Sequence, residues 1–183
     1  MSFLPLSSNM LAAFKVGEKV VYPNQGVGVI EQITFGSLNG RPERFYSVHI
    51  LANRLKVTVP VSNAAAVGLR RIIKAREVPN VLRALQNGKF DSHQNWKSRF
   101  KQNSEKMRTG SLYEVAEVLK SLLALNRTKV LSFREKKMLE QAHRLLVAEL
   151  AVVRNVTDAT IEQSIQKALA KSKLRLPEPT ESS

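Results

Sequence analysis

Two periodicities divide the chain. Between residues 14 and 61, apolar and polar positions alternate with the two-residue period of strands, and turn residues interrupt them at short intervals. Val16, Val20 and Val21 run into Tyr22-Pro23, and Asn24-Gln25-Gly26 reads as a turn. Val27 to Ile33 predicts a second strand, in which Gly28 marks a bulge or tight bend. Asn39-Gly40 is a strong hairpin signal, because both residues tolerate positive φ. Arg44 to Leu51 predicts a third strand, Ala52-Asn53-Arg54 a turn, and Leu55 to Val59 a fourth strand stopped by Pro60. Four or five short strands joined by tight turns predict a strongly bent sheet or small barrel.

After Pro60 the apolar spacing becomes helical. Ser62 to Val67 can form one turn, and Arg70 to Lys74 leads out of the sheet. The first helix of this half is expected over Val78 to Asn87, with Pro79 in its first turn and Gly88 as its stop. A second should run from about Gln94 to Arg108, started by Asp91 or Ser92 and stopped by Gly110. In a third, from about Leu112 to Leu125, Leu112, Val115, Ala116, Leu119, Leu122 and Leu123 recur at three-four spacing and predict a buried stripe. Ser132 and Glu135 form a capping-box pattern for a fourth helix reaching Arg154, with Leu139, Ala142, Leu146, Leu150 and Val153 inward. Thr157 or Asp158 caps a fifth, with Ile161, Ile165, Ala168 and Leu169 inward. The fold class is therefore α+β: a small N-terminal β module followed by a compact helical domain of about five helices. The expected organisation is a flexible extension over 1–13, a β domain over 14–74, a helical domain over 75–172 and a disordered tail over 173–183.

Charge changes the picture most. The 183 residues carry 29 Lys+Arg against 15 Asp+Glu, a formal +14. The excess is shared between the halves, +6 over residues 14–74 and +8 beyond, so both could face an acidic partner such as nucleic acid. There is no cysteine, which excludes disulfides, thiolate metal sites and cysteine nucleophiles. No window approaches the ~20 apolar residues needed to span a bilayer. Residues 1–13 lack the basic start of a secretory leader, and Pro5 interrupts their apolar run. The expectation is a cytoplasmic, soluble protein.

Catalytic signals are weak. Gly26-Val-Gly28 leads into a strand rather than a helix, so it offers no helix N-terminus for a phosphate. Asp91 and Asp158 are the only aspartates, and His49, His93 and His143 stand at no ligand spacing from one another. No Gly-x-Ser-x-Gly elbow and no carboxylate pair occurs. Neither an enzyme, a metal nor a cofactor is expected.

The segment from Asn95 to Arg108 carries the one tryptophan. On a helix Trp96, Phe100 and Met107 share a face, ringed by Lys97, Arg99, Lys101, Lys106 and Arg108. Two readings follow. Trp96 and Phe100 could anchor the helix in the core beneath a solvated cationic face. Alternatively Phe100 and Met107 pack inward while Trp96 projects at the tip of a basic surface, where it could stack on bases.

Four stretches carry a family resemblance: Phe14-Lys-Val-Gly-Glu-Lys-Val-Val-Tyr-Pro-x-x-Gly, Val57-Thr-Val-Pro60, Asn95-Trp-Lys-Ser-Arg-Phe-Lys-x-Asn103 and Leu145-Leu-Val-Ala-Glu-Leu150. Together they resemble the CarD/CdnL family of bacterial transcription regulators over roughly residues 14–169. The first stretch is shared with the polymerase-interacting module of transcription-repair coupling factors. The resemblance implies a Tudor-like bent β module that docks on the β subunit of RNA polymerase, and a helical domain that reaches promoter DNA at the upstream edge of the bubble. It assigns polymerase binding to Arg54, Lys56, Val57, Thr58 and Val59, near a Phe35–Gly36 turn. Some relatives carry arginine where this chain has Thr58 and Gly36, so the resemblance carries over backbone pairing and not those side-chain contacts. The wedge tryptophan falls on Trp96, with Lys97, Arg99 and Lys101 at the DNA backbone, and favours the projecting reading. The resulting expectation is a monomeric regulator that binds polymerase and stabilises the promoter open complex. An RNA- or ribosome-associated binding protein is the alternative, and a nucleic-acid-cleaving enzyme a weaker one.

Overall fold

The computed structural model describes residues 13–87 and 95–178. The extension up to residue 12, the Gly88 stop, the Asp91 or Ser92 start, Gln94, His93 and the tail beyond 178 lie outside these residues.

The N-terminal half is one antiparallel sheet of five strands: β1 (Lys19–Tyr22), β2 (Gly26–Leu38), β3 (Arg41–Ile50), β4 (Lys56–Pro60) and β5 (Arg70–Arg71), in the order β4-β3-β2-β1-β5. The Asn39-Gly40 turn joins β2 to β3 with both residues at positive φ, 52° and 75°, as the hairpin signal requires. Val20, Ile30, Tyr46, Val48, Ile50 and Val59 bury one face, which Phe14 closes by stacking edge-on to Tyr46 at 5.4 Å.

Two expectations for β2 are corrected. The strand does not end at Ile33: it continues to Leu38, with Phe35 opposite Arg44 and Gly36 opposite Glu43, so Phe35–Gly36 is strand and not turn. The bulge falls between Ile30 and Gln32, not at Gly28. Gly28 is needed for close approach instead, since a Cβ there would lie 2.8 Å from Val48 Cγ1 and 2.9 Å from the His49 carbonyl oxygen. The bulge makes Glu31 the unmatched residue and aims its carboxylate at His49 Nδ1 (3.2 Å) and Lys56 Nζ (3.0 Å).

The C-terminal half holds α1 (Val78–Gln86), α2 (Trp96–Thr109), α3 (Leu112–Asn126), α4 (Phe133–Arg154) and α5 (Asp158–Lys171). The expected α3 stripe is buried throughout, and Val118 joins it because α1, α2 and α4 all pack on this helix. The Ser132–Glu135 capping box forms, and Thr157 caps α5 by accepting from the Thr160 N–H. On α4, Leu139, Ala142, Leu146 and Leu150 are buried as expected, and Val153 is half-buried. Leu145 and Glu149 are buried too, because α4 is sandwiched between α3 and the β module.

The halves are joined by directional bonds. The Arg70 guanidinium donates to both carboxylate oxygens of Glu149 at 2.8 Å, and its Nε and Nη2 donate to the Gly110 carbonyl at 2.9 and 2.6 Å. The Ile73 N–H donates to Glu149 Oε1, and Gln141 donates to the Asn24 carbonyl, each at 2.9 Å.

Candidate functional site

Two surfaces gather the residues singled out above. The first is the outer edge of β4, which pairs with β3 on one side and has no strand on the other among the described residues. Asn53 accepts from the Leu55 N–H, and Arg54 takes a left-handed φ of 57°, so the turn delivers Lys56 into the strand. Ile50 donates to the Leu55 carbonyl, and His49, Val48 and Ser47 stand opposite Lys56, Val57 and Thr58. In an antiparallel ladder the backbone groups alternate in direction, so Val57 bonds β3 while the N–H and C=O of Lys56 and Thr58 face the open edge. The side chains of Arg54, Lys56 and Thr58 are exposed, Val57 is half-buried, and Val59 points into the β core. Val59 is in phase with Val57, so its backbone bonds β3 opposite Tyr46 and, with its side chain in the core, it supports this edge from within and presents nothing to it. On the neighbouring β2–β3 arm, Phe35 is 84% exposed.

The second surface surrounds the start of α2. Asn95 caps the helix by accepting from the Lys97 N–H at 3.2 Å, which makes Trp96 the first helical residue. Met107 is buried and Phe100 half-buried, and these hold the helix down. Trp96 is 55% exposed, so of the two readings of this segment the projecting one describes the structure. Lys97 Nζ lies 5.7 Å from the indole centroid, and Lys101, one turn further on, is exposed.

Arg99 behaves differently from the lysines beside it. Its side chain is only 13% exposed and turns back to Glu135 at 3.5 Å. The arginine expected at the DNA backbone is thus a brace between α2 and α4. Burial pushes the Glu135 carboxyl up, but the Ser132 N–H and hydroxyl and the Arg99 guanidinium outweigh it and hold the group below the ordinary carboxylate range.

The structure adds Phe133, which the periodicity does not single out. It is 74% exposed, and Lys137 Nζ lies 5.7 Å from its ring centroid. With Phe100, Met107 and Met138 it lines a groove of about 430 Å³ between α2 and α4, rimmed by Arg134 and Lys137. The signal in the sequence is an aromatic off the apolar stripe, directly after the Ser132 cap and among Arg134, Lys136 and Lys137.

Elsewhere His49 is engaged by Glu31, and His143 is half-buried beside α5. Burial holds the His143 imidazole below its usual value, against the pull of Glu162. No group of three or more metal-ligating side chains occurs among the described residues.

Comparison with known proteins places both surfaces in matched regions. Residues 14–73, which contain β4, match the CarD-like/TRCF RID domain, and residues 80–166, which contain Trp96, match the CarD C-terminal domain. The chain belongs to the CarD/CdnL family. A relative from Bacillus subtilis (strain 168), described as "Putative transcription factor YdeB", is 30% identical over 149 residues, covering 81% of this chain and 97% of that protein. A solved structure, CdnLNt from Myxococcus xanthus, is 39% identical over 37% of this chain and 94% of its own, with a TM-score of 0.29. As a CarD/CdnL protein, this chain is a transcription-associated regulator of the kind that interacts with RNA polymerase. Among the described residues no helix is long and apolar enough to cross a membrane.

Proposed function

We propose that this protein docks on the β subunit of RNA polymerase through the β4 edge and stabilises the promoter open complex by placing Trp96 at the upstream fork of the bubble. It acts as a monomer, in the cytoplasm, and without catalysis. The observation that carries the reading is the exposed indole at the tip of a cationic helix, flanked by Lys97 and Lys101.

An apolar wedge at a duplex edge unstacks a base step, and the freed base finds a new stacking surface on the indole. Lys97 and Lys101 meet phosphates and fix position without reading sequence. Arg99 serves from behind, holding α2 against α4. Phe133, with Arg134 and Lys137, extends the same apolar and cationic surface. An interaction made only with melted DNA favours the open state by its differential affinity, and about 1.4 kcal/mol of preference shifts open:closed tenfold.

The deciding experiment measures open-complex lifetime with Trp96→Ala alongside polymerase affinity. A shortened lifetime with affinity retained supports the wedge. An unchanged lifetime with affinity retained rejects it. Co-purification with ribosomal particles in place of polymerase subunits would favour an RNA-associated role instead.

A further inference from the structure

The helix that presents Trp96 is fastened at its opposite end. Gly110 closes α2 with φ 72°, and its carbonyl is the acceptor for two donors of Arg70 on β5. The other face of Gly110 meets the β1–β2 turn: a Cβ there would lie 2.9 Å from Pro23 Cγ and 3.3 Å from Pro23 Cβ. Glu149 completes the joint. Its side chain is 2% exposed, and it accepts from Arg70 of β5, and from the Ile73 N–H just beyond that strand.

If the two halves needed only to adhere, apolar side chains would serve, since a buried ion pair seldom adds more stability than a well-packed apolar pair. What the fork between Arg70, Glu149 and Gly110 does add is direction: its bonds close in one relative orientation and weaken steeply out of line. An α-helix is stiff, and the 14 residues of α2 span roughly 20 Å at 1.5 Å per residue. Orientation fixed at Gly110 is therefore carried to Trp96.

We infer that Arg70 and Glu149 are positioning residues which, through Gly110, set the distance and direction of Trp96 from the β4 edge. This rests on the proposed division of labour between those two surfaces. A tether that leaves the wedge free to swing incurs an ordering cost each time the indole meets the fork, and a fixed strut avoids it. The pair then acts on open-complex lifetime without touching polymerase or DNA.

The sequence has no cysteine, so Ser37→Cys on the β2–β3 arm and Ser98→Cys on α2 allow two specific spin labels on the full chain. The background variant is Arg70→Met with Glu149→Leu, which removes the directional bonds and leaves no unpaired charge. Electron–electron resonance should give one narrow distance distribution for the parent and a broad or displaced one for the variant. Polymerase affinity should stay within about twofold, while open-complex lifetime falls about fivefold or more. Trp96→Ala should add little in that background, because the indole is already mispositioned. An unchanged distance distribution in the folded variant overturns the inference, and so does a broadened one with an unchanged lifetime. Should the apolar pair fail to fold, Arg70→Lys keeps the charge but cannot fork between Glu149 and Gly110, and the same two readings decide. If Trp96→Ala alone leaves lifetime unchanged, the wedge is rejected, whereas the distance measurement still decides whether the pair sets the orientation.

Discussion

Arg99 and Glu135 meet at 3.5 Å across the first turns of α2 and α4, so one ion pair ties together the two helix starts that carry Trp96 and Phe133. Glu135 also closes the capping box with Ser132. A single carboxylate thus supports a helix cap and the bracing of the candidate surface.

Its titration follows from that geometry. Unfolded, Glu135 has the ordinary value of 4.5; folded, it lies lower. The folded state binds the proton more weakly, so this contribution is complete above about 4.5 and is lost as pH falls through the folded pKa. Glu135→Gln keeps an acceptor for the Ser132 N–H but not the charge, and should cost about 1–3 kcal/mol near neutrality. Urea unfolding across pH should show that deficit shrinking below pH 4.5. A deficit that stays constant down to strong acid would reject the ionic role.

Thr58→Pro should abolish polymerase binding while the helical signal and thermal midpoint stay near those of the parent. The Thr58 N–H faces the open edge and not β3, so proline removes a donor that only an added strand would use. Retained binding, measured by pull-down on polymerase, would rule out strand addition at this edge.

Lys97→Ala and Lys101→Ala should weaken binding to forked DNA irrespective of sequence. Each should make the slope of log affinity against log salt shallower by roughly 0.7–0.9, as expected when one phosphate is no longer neutralised. Both side chains are exposed, so stability should change by no more than about 0.5 kcal/mol. An unaltered salt slope would remove these lysines from the DNA surface.

Gly28→Ala should destabilise the β module by about 1–3 kcal/mol, because the added methyl meets both a packed valine and a neighbouring carbonyl. Denaturant midpoints of the full chain would register the loss. Gly40→Ala makes the contrast: nothing stands within 4 Å of a Cβ there, and the cost comes from φ 75° alone.

Much of this architecture is legible in the sequence because local chemistry decides it. Asn39-Gly40 permits a two-residue turn, Ser132 and Glu135 close a cap, and the α3 stripe repeats at helical spacing. Trp96, Lys97 and Lys101 are legible as a cationic aromatic surface, though the exposure of the indole depends on what else fills the core. The features that escape share a cause. Arg70 and Glu149 lie 79 residues apart, so nothing near either announces its partner. The turn that the resemblance implies at Phe35–Gly36 is strand, because pairing with Arg44 and Glu43 holds it there. The Arg99 side chain resembles its lysine neighbours until Glu135 arrives from another helix.

The unmatched Glu31 has a further effect along β2. Because paired residues share a face, the bulge takes up the one extra residue and keeps everything that follows it, up to Leu38, on the side of its β3 partner. Deleting Glu31 would leave Phe35 opposite Arg44 and Gly36 opposite Glu43, and would remove only the carboxylate that meets His49 and Lys56. The placement of that ring is thus decided by its partner on β3, and the bulge is the point at which the arm can absorb a change in length without slipping.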